Sequence, residues 1–218
     1  VTIDARKIRL LMALRQSGVT DTKVLAAIER VPREVFVPDA FQDQAWENTA
    51  LPIELGQTIS QPLVVGLMTQ ALELHPRHLV LEVGTGSGYQ AAVLARLCRR
   101  VFTIERLKPL LGEAERRFRA LGIDNITTRL GDGTRGWPEQ APFLRVLVTA
   151  AGGPEPPKDL TDQLAVGGVM LIPLGDGYHD QKVVRFRRTE AGLIREDLWP
   201  VRFVPLLSDP PQQVRSAS

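Results

Sequence analysis

The stretch from Leu79 to Glu105 constrains the fold more than any other part of the chain. An apolar run, Leu79-Val80-Leu81-Glu82-Val83, meets Gly84-Thr85-Gly86-Ser87-Gly88. A short, partly β-branched run bounded by glycines predicts a buried parallel strand feeding a tight turn. Tyr89 to Leu97 is dominated by Ala and Leu and predicts a helix, and Val101-Phe102-Thr103-Ile104 predicts a second strand ending at Glu105. The unit is strand, glycine loop, helix, strand, acid. An acid about 20 residues past the glycines is where a βαβ unit reaches a pair of ribose hydroxyls.

The glycine spacing separates two ligand classes. A dinucleotide fingerprint wants Gly-x-Gly-x-x-Gly. Gly84, Gly86 and Gly88 give Gly-x-Gly-x-Gly instead, with Glu82 inside the strand end. That pattern resembles the S-adenosylmethionine-dependent methyltransferases more than the dehydrogenases. Glycines let backbone approach a ligand, and a helix N-terminus offers free N–H groups to an anion, here the methionine carboxylate of the cofactor. The glycines alone also fit an ordinary tight turn; the acids at both ends, Glu82 and Glu105, favour a ligand site.

The chain of 218 residues suggests one large domain, or one domain with an N-terminal extension, and its 44% hydrophobic content suffices for a core. A net charge of +2 with scattered arginines gives no electrostatic case for nucleic acid. The local patch Arg185-Phe186-Arg187-Arg188 falls on an expected strand and reads as a solvated face. The lone Cys98 permits no internal disulfide, which suits a reducing cytosol, and at the end of an apolar helix it reads as a structural thiol. His75, His78 and His179 lack metal-ligand spacing, so no metal is expected. No early apolar stretch reads as a leader and no run has the length of a membrane span.

From the N-terminus, residues 4–16 predict a helix with Ile8, Leu11, Met12 and Leu14 near one face, ended by Gly18. Thr20 or Asp21 caps a second helix that stops at Val31-Pro32, and residues 39–46 predict a short third. A mixed segment, residues 50–62, precedes a strong apolar helix carrying Leu63, Val64, Leu67, Met68, Ala71 and Leu72. Ser60 is placed to cap that helix and Pro62 suits its first turn. Residues 108–121 predict an amphipathic helix, and residues 125–130 a strand ending at Gly131-Asp132-Gly133, which suits either a ligand loop or a plain turn. Strands are expected at Val146-Leu147-Val148-Thr149 and Val169-Met170-Leu171-Ile172-Pro173, with a helix over 158–165 and a turn at Gly167-Gly168 between them. Residues 181–204 alternate as antiparallel edge strands around Glu190-Ala191-Gly192.

The segment Ala50-Leu51-Pro52-Ile53 through Gly56-Gln57-Thr58-Ile59-Ser60-Gln61-Pro62 closely resembles the protein-L-isoaspartate O-methyltransferases. So do Val31-Pro32-Arg33-Glu34-Val35-Phe36-Val37-Pro38, the glycine unit through Tyr89-Gln90, Gly131-Asp132-Gly133, Val148-Thr149-Ala150-Ala151 and Phe203-Val204-Pro205-Leu206. The resemblance implies an α/β, Rossmann-like methyltransferase: a mostly parallel central sheet with antiparallel edge strands, helices on both faces and an N-terminal helical extension. It implies one domain over 1–218, with helices and acceptor loop at 1–62, the α/β core at 63–206 and a tail at 207–218. The implied activity moves a methyl group from S-adenosyl-L-methionine to the free carboxylate of L-isoaspartyl residues in peptides and proteins, leaving S-adenosyl-L-homocysteine. The ester then collapses to a succinimide, which begins repair. A sulfonium is an activated donor and a carboxylate is already ionised at neutral pH, so alignment should dominate over general-base catalysis.

Carried over, the resemblance gives Ser60 and Thr58 the catalytic positions. It gives the cofactor Glu82, Gly84, Thr85, Gly86, Gly88, Glu105, Arg106, Asp132, Gly133, Thr149 and Gln212. Leu51, Pro52, Ile53, Ser60, Val204, Pro205 and Leu206 are the expected peptide wall. Two positions depart from the family pattern: Leu144-Arg145 follows Phe143 where an acid is usual, and Leu207 stands where a hydroxyl residue is frequent. A cytoplasmic monomer acting on isoaspartyl proteins is expected, with no nucleic-acid or membrane partner. The alternatives are a methyltransferase for a small-molecule or nucleic-acid acceptor, or a cofactor binder without turnover. Val148-Thr149-Ala150-Ala151 lacks the Asn or Asp and the aromatic ring of base-amine methylation, which counts against a nucleic-acid base.

Overall fold

The computed structural model describes residues 5–177 and 180–208. Its centre is a seven-stranded sheet in the order β5-β4-β3-β6-β7-β8-β9. The strands are β3 (Leu79–Val83), β4 (Arg100–Glu105), β5 (Ile126–Leu130), β6 (Phe143–Val148), β7 (Leu164–Leu174), β8 (Lys182–Thr189) and β9 (Gly192–Pro200). The first five of these pair in parallel, and β8 and β9 close one edge as antiparallel strands. A separate two-stranded hairpin, β1 (Leu51–Pro52) with β2 (Thr58–Ile59), carries the segment before Ser60.

The central strands are apolar on both faces, and the period of two divides their side chains between two cores. Val80, Val101, Leu147, Val169 and Leu171 face the larger core. The helices over that core are α1 (Ala5–Gln16), α2 (Thr22–Arg30), α3 (Pro62–Ala71), α4 (Tyr89–Ala95) and α5 (Lys108–Ala120), each of which buries residues against it or against its neighbours. Leu81, Val83, Phe102, Ile104, Val146, Met170 and Ile172 face the other core, covered by the short α6 (Lys158–Asp162) and by the turn carrying Trp137. Helices thus cover both faces, unequally.

Several elements differ from expectation for identifiable reasons. In α1 the buried residues are Leu10 and Leu14, while Ile8 and Met12 are exposed. The short helix expected at 39–46 is a 3-10 helix over Asp39–Gln44, interrupted by non-helical backbone at Phe41. The strand expected from Val169 already begins at Leu164: Phe143 pairs with Leu164 and Arg145 with Val169, so the intervening residues of β7 bulge out around Gly167 at φ +78°. The Arg185-Phe186-Arg187-Arg188 patch is ion-paired rather than merely solvated. Arg185 and Arg187 both reach Glu73, Arg185 also meets Glu196 at 2.6 Å, and Arg188 donates to the Thr161 carbonyl at 2.6 Å. Of the departing residues, Leu144 is exposed and Arg145 donates to the Glu73 carbonyl at 3.1 Å, both away from the strands' carboxyl ends.

The strand order places β4 and β5 on one side of β3 and β6 and β7 on the other. The chain therefore reverses its direction of winding between β3 and β6. In open α/β sheets that switch point opens a crevice at the carboxyl ends of the strands, where ligands bind.

Candidate active site

A cleft occupies that crevice. Its floor comes from the loop after each central strand: Gly84, Thr85, Gly86 and Ser87 after β3, Glu105, Arg106 and Leu107 at the end of β4, Gly133 after β5, and Thr149 and Ala150 after β6. Its walls come from Gln57 to Ser60 on one side and Val204 to Leu207 on the other. The loop expected to hold the methyl acceptor thus shares a cleft with the glycine turn.

The turn is fixed by close fits and by one acid. Gly84 has φ +96°, and a Cβ there would overlap the Thr149 hydroxyl. That hydroxyl lies 2.6 Å from the Gly84 carbonyl and 3.0 Å from that of Val83, tying the β6 loop to the β3 loop. Gly88, at φ +90°, leaves room for the Phe118 ring of α5 rather than for a ligand, and it does not line the cleft. Glu105 accepts the Gly86 N–H at 2.9 Å on one oxygen and the Leu107 N–H at 3.0 Å on the other. Each oxygen keeps a lone pair.

Glu82 sits elsewhere than the cofactor role requires. It is fully buried, and it opposes Thr103 in the β3–β4 ladder on the face covered by helices. The Thr103 hydroxyl lies 2.5 Å from a Glu82 carboxyl oxygen and 2.7 Å from the Thr85 hydroxyl. The other carboxyl oxygen has no partner among the described residues. Burial, opposed by the Thr103 hydrogen bond and reinforced by the nearby Glu105 charge, pushes the Glu82 carboxyl up to about 8. It is mainly a neutral acid at pH 7 that reaches the cleft only through Thr103 and Thr85. Asp132 is likewise not among the described residues lining the cleft. It accepts the Thr134 N–H at 2.8 Å and the Thr134 hydroxyl at 2.6 Å and caps the turn at Gly133–Arg135, while Gly133 itself lines the cleft.

On the acceptor side, Leu51 turns into the core opposite Ile59, Ile53 packs against the same core and Pro52 is exposed; none of the three lines the cleft. Pairing in the hairpin gives the wall to Thr58 and Ser60 instead. Ser60 does not cap α3. The capping position belongs to Gln61, which makes no side-chain cap bond. Asn48 does that work from upstream: its side-chain oxygen accepts the Leu63 N–H at 3.0 Å, and its backbone carbonyl accepts the Gln61 side-chain amide at 3.0 Å. The hydroxyls of Thr58 and Ser60 have no partner among the described residues. The opposite wall is pinned by Gln181, which donates to the Phe203 carbonyl at 3.2 Å and accepts its N–H at 2.6 Å, and by Ala151, whose backbone bonds Val204 and Leu206.

Asn48, Thr103 and Gln181 carried no local signal in the sequence, since each acts on a partner at least 15 residues away. Tyr89, also in the lining, is held over a buried cation, with the Arg33 guanidinium 4.9 Å from its ring centroid. Burial pushes Tyr89 up to about 12, despite the opposing effect of Arg33. Cys98 is buried and held up to about 12, mostly by desolvation, so it is no nucleophile at neutral pH. No group of three or more candidate metal ligands exists among the described residues. Gln212 lies outside the described residues.

The donor set fits S-adenosyl-L-methionine. Glu105 retains lone pairs for two hydroxyls, backbone glycines line the inner end, and Val83, Leu107 and Leu206 supply apolar surface for a base.

Comparison with known proteins decides the family. The profile of the protein-L-isoaspartate(D-aspartate) O-methyltransferases matches residues 5–210. This chain belongs to that family. The protein-L-isoaspartate O-methyltransferase of Rhodospirillum centenum is 74% identical over 205 residues, covering 94% of this chain and 93% of the relative. That of Rhodospirillum rubrum is 64% identical over 220 residues and covers all of both chains. Among solved structures, a protein-L-isoaspartate O-methyltransferase superposes with TM-score 0.83 at 28% identity, covering 94% of this chain and 67% of its own. A Plasmodium falciparum protein assigned to the same family, solved with S-adenosyl-L-homocysteine, superposes with TM-score 0.80 at 26% identity over 92% of this chain and 98% of its own. The fold is that of the Rossmann-like methyltransferases, and the family's cofactor is S-adenosyl-L-methionine. Leu207 lines the cleft.

Proposed function

We propose that this methyltransferase esterifies the free carboxylate of L-isoaspartyl residues in damaged peptides and proteins, the first step of repair through a succinimide. The observation that carries this reading is the meeting of Thr58 and Ser60 with the glycine turn in one cleft. When bound, S-adenosyl-L-methionine supplies a methyl group on a sulfonium leaving centre. Glu105 holds the hydroxyl pair of the cofactor, and the Gly84–Gly86 backbone faces its methionine end. Ser60 donates its uncommitted hydroxyl to one oxygen of the acceptor carboxylate, and Thr58 stands beside it as a second donor. The other carboxylate oxygen stays free to react. No proton has to be removed from an ionised carboxylate, which suits a cleft with no histidine or cysteine among its described lining residues. Exclusion of water and alignment of the acceptor carry the rate.

The acting species is proposed to be a monomer. The lone, buried Cys98 suits a reducing compartment, and the cytoplasm is the proposed location. Among the described residues no helix is long and apolar enough to cross a membrane. The decisive assay offers the purified protein an isoaspartyl peptide and its aspartyl twin with labelled cofactor. Ester formation on the first alone is expected; label on both, or on neither, sinks the assignment.

A further inference from the structure

A second groove opens beside the cleft and shares its central residues. It is lined by Thr58, Ser60 and Gln61 of the acceptor loop, by Pro200 at the end of β9 and by Arg202 and Phe203 just after it. Thr58 and Ser60 line both cavities, and the chain from 200 to 207 passes from the groove, lined by residues 200–203, to the cleft, lined by residues 204–207. An acceptor held at Ser60 therefore has one continuous path for the chain on either side of it. Arg202 is the sole charged residue among the described residues that line this groove. It is exposed, and it makes no ion pair with a described residue. Arginines on the neighbouring strands are engaged, Arg185 and Arg187 with Glu73 and Arg195 with Asp197. The backbone that carries Arg202 is fixed on both sides, because Val201 donates its N–H to the Gln181 carbonyl at 2.9 Å and Phe203 is held by the Gln181 side chain.

We propose that Arg202 is a specificity residue that favours an aspartate or glutamate side chain close to the isoaspartyl residue in the substrate peptide. The inference rests on the isoaspartyl reading above. Arg202 does not line the cofactor cleft, so its partner is not the carboxylate that takes the methyl group. Its partner is a second anion on the same peptide, lying in the groove. A guanidinium pairs a carboxylate through two parallel N–H bonds, and no acid lies among the described residues that line the groove. A merely solvated arginine would leave the enzyme indifferent to a neighbouring charge.

The test uses peptides of one sequence with a central isoaspartyl residue and Glu or Gln at each of the two positions before and after it. Wild type is expected to show a kcat/KM about three- to fivefold higher for Glu than for Gln at one position, the range of an exposed charge pair. The preference should shrink as salt rises. Arg202→Gln should bring the ratio to one, Arg202→Lys should keep part of it, and Arg202→Glu should turn it towards a Lys-bearing peptide. Equal ratios in wild type and Arg202→Gln at every position overturn the proposal, as does a wild-type preference for Gln throughout. Methylation of the Gln peptide but not of its aspartyl twin supports the isoaspartyl reading independently of Arg202. Failure on every isoaspartyl peptide overturns both.

Discussion

The two halves of the cleft are built on opposite plans. In the cofactor half, polar groups are already committed: Glu105 to two backbone N–H groups, Thr149 to two carbonyls, Glu82 to Thr103 and through it to Thr85. In the acceptor half, the Thr58 and Ser60 hydroxyls have no partner among the described residues, and the structural work is delegated to Asn48 and Gln181. A cofactor of fixed shape rewards a rigid, pre-bonded cradle. An acceptor that arrives on peptides of many sequences rewards donors that are well placed and unspent.

If that contrast holds, damage to the first half should appear as lost affinity and stability, and damage to the second as lost turnover. The largest effect is expected at Glu105. Glu105→Ala removes the acceptor of the Gly86 and Leu107 N–H groups together with the proposed hydroxyl contacts. Two charge-assisted bonds correspond to roughly a hundredfold weaker binding of S-adenosyl-L-homocysteine by calorimetry. An affinity within threefold of wild type would remove Glu105 from the cofactor site.

Glu82 tests whether the buried acid serves structure alone. Its folded pKa is raised, so its contribution to stability is complete below the ordinary value near 4.5 and is lost as pH rises through about 8. Glu82→Gln keeps the shape and cannot ionise. Relative to wild type it should gain about 2.7 kcal/mol between pH 6 and pH 9 in urea unfolding. A difference that stays flat with pH would mean that Glu82 is not buried as a neutral acid.

Ser60→Ala lies on the other side of the contrast. Turnover of an isoaspartyl peptide should fall about tenfold, less than for a donor to a developing oxyanion because the acceptor is already charged. Cofactor affinity should stay within twofold, and stability within about 0.5 kcal/mol, since no cap is lost. Equal loss in cofactor affinity and turnover would erase the division between the two halves.

The halves also differed in how far the sequence revealed them. The strand, glycine turn and acid at Glu105 are local patterns, and local patterns survive into the fold: β3, α4 and β4 lie where the glycine unit puts them, apart from the last turn of the helix. Glu82 belongs to that same motif, yet its burial follows from pairing. It opposes Thr103 on the neighbouring strand and shares a face with Val80, whose side chain lies in the helix-covered core. Strand parity carried this information and motif matching did not. Leu51 was misplaced for the same reason, because the hairpin register against Ile59 sends it inward. Arg202 could be seen only once the fold had brought residues 200–203 against Ser60.

The smallest expected effect decides who caps α3. By composition Ser60 precedes the helix and is a good capping residue, but the Leu63 N–H goes to the Asn48 side chain, 15 residues upstream. Asn48→Ala should therefore cost about 1 kcal/mol in urea unfolding, the usual worth of a capping side chain. Gln61 also bonds the Asn48 carbonyl, which the substitution preserves, so the loop should stay near its position and turnover should fall less than in Ser60→Ala. The two variants form a crossed pair: one loses stability with modest loss of rate, the other loses rate at constant stability. The reverse pattern, with Ser60→Ala destabilising and Asn48→Ala neutral, would return the cap to Ser60. Its hydroxyl would then be bound in the free enzyme and would have to leave the helix to meet the acceptor.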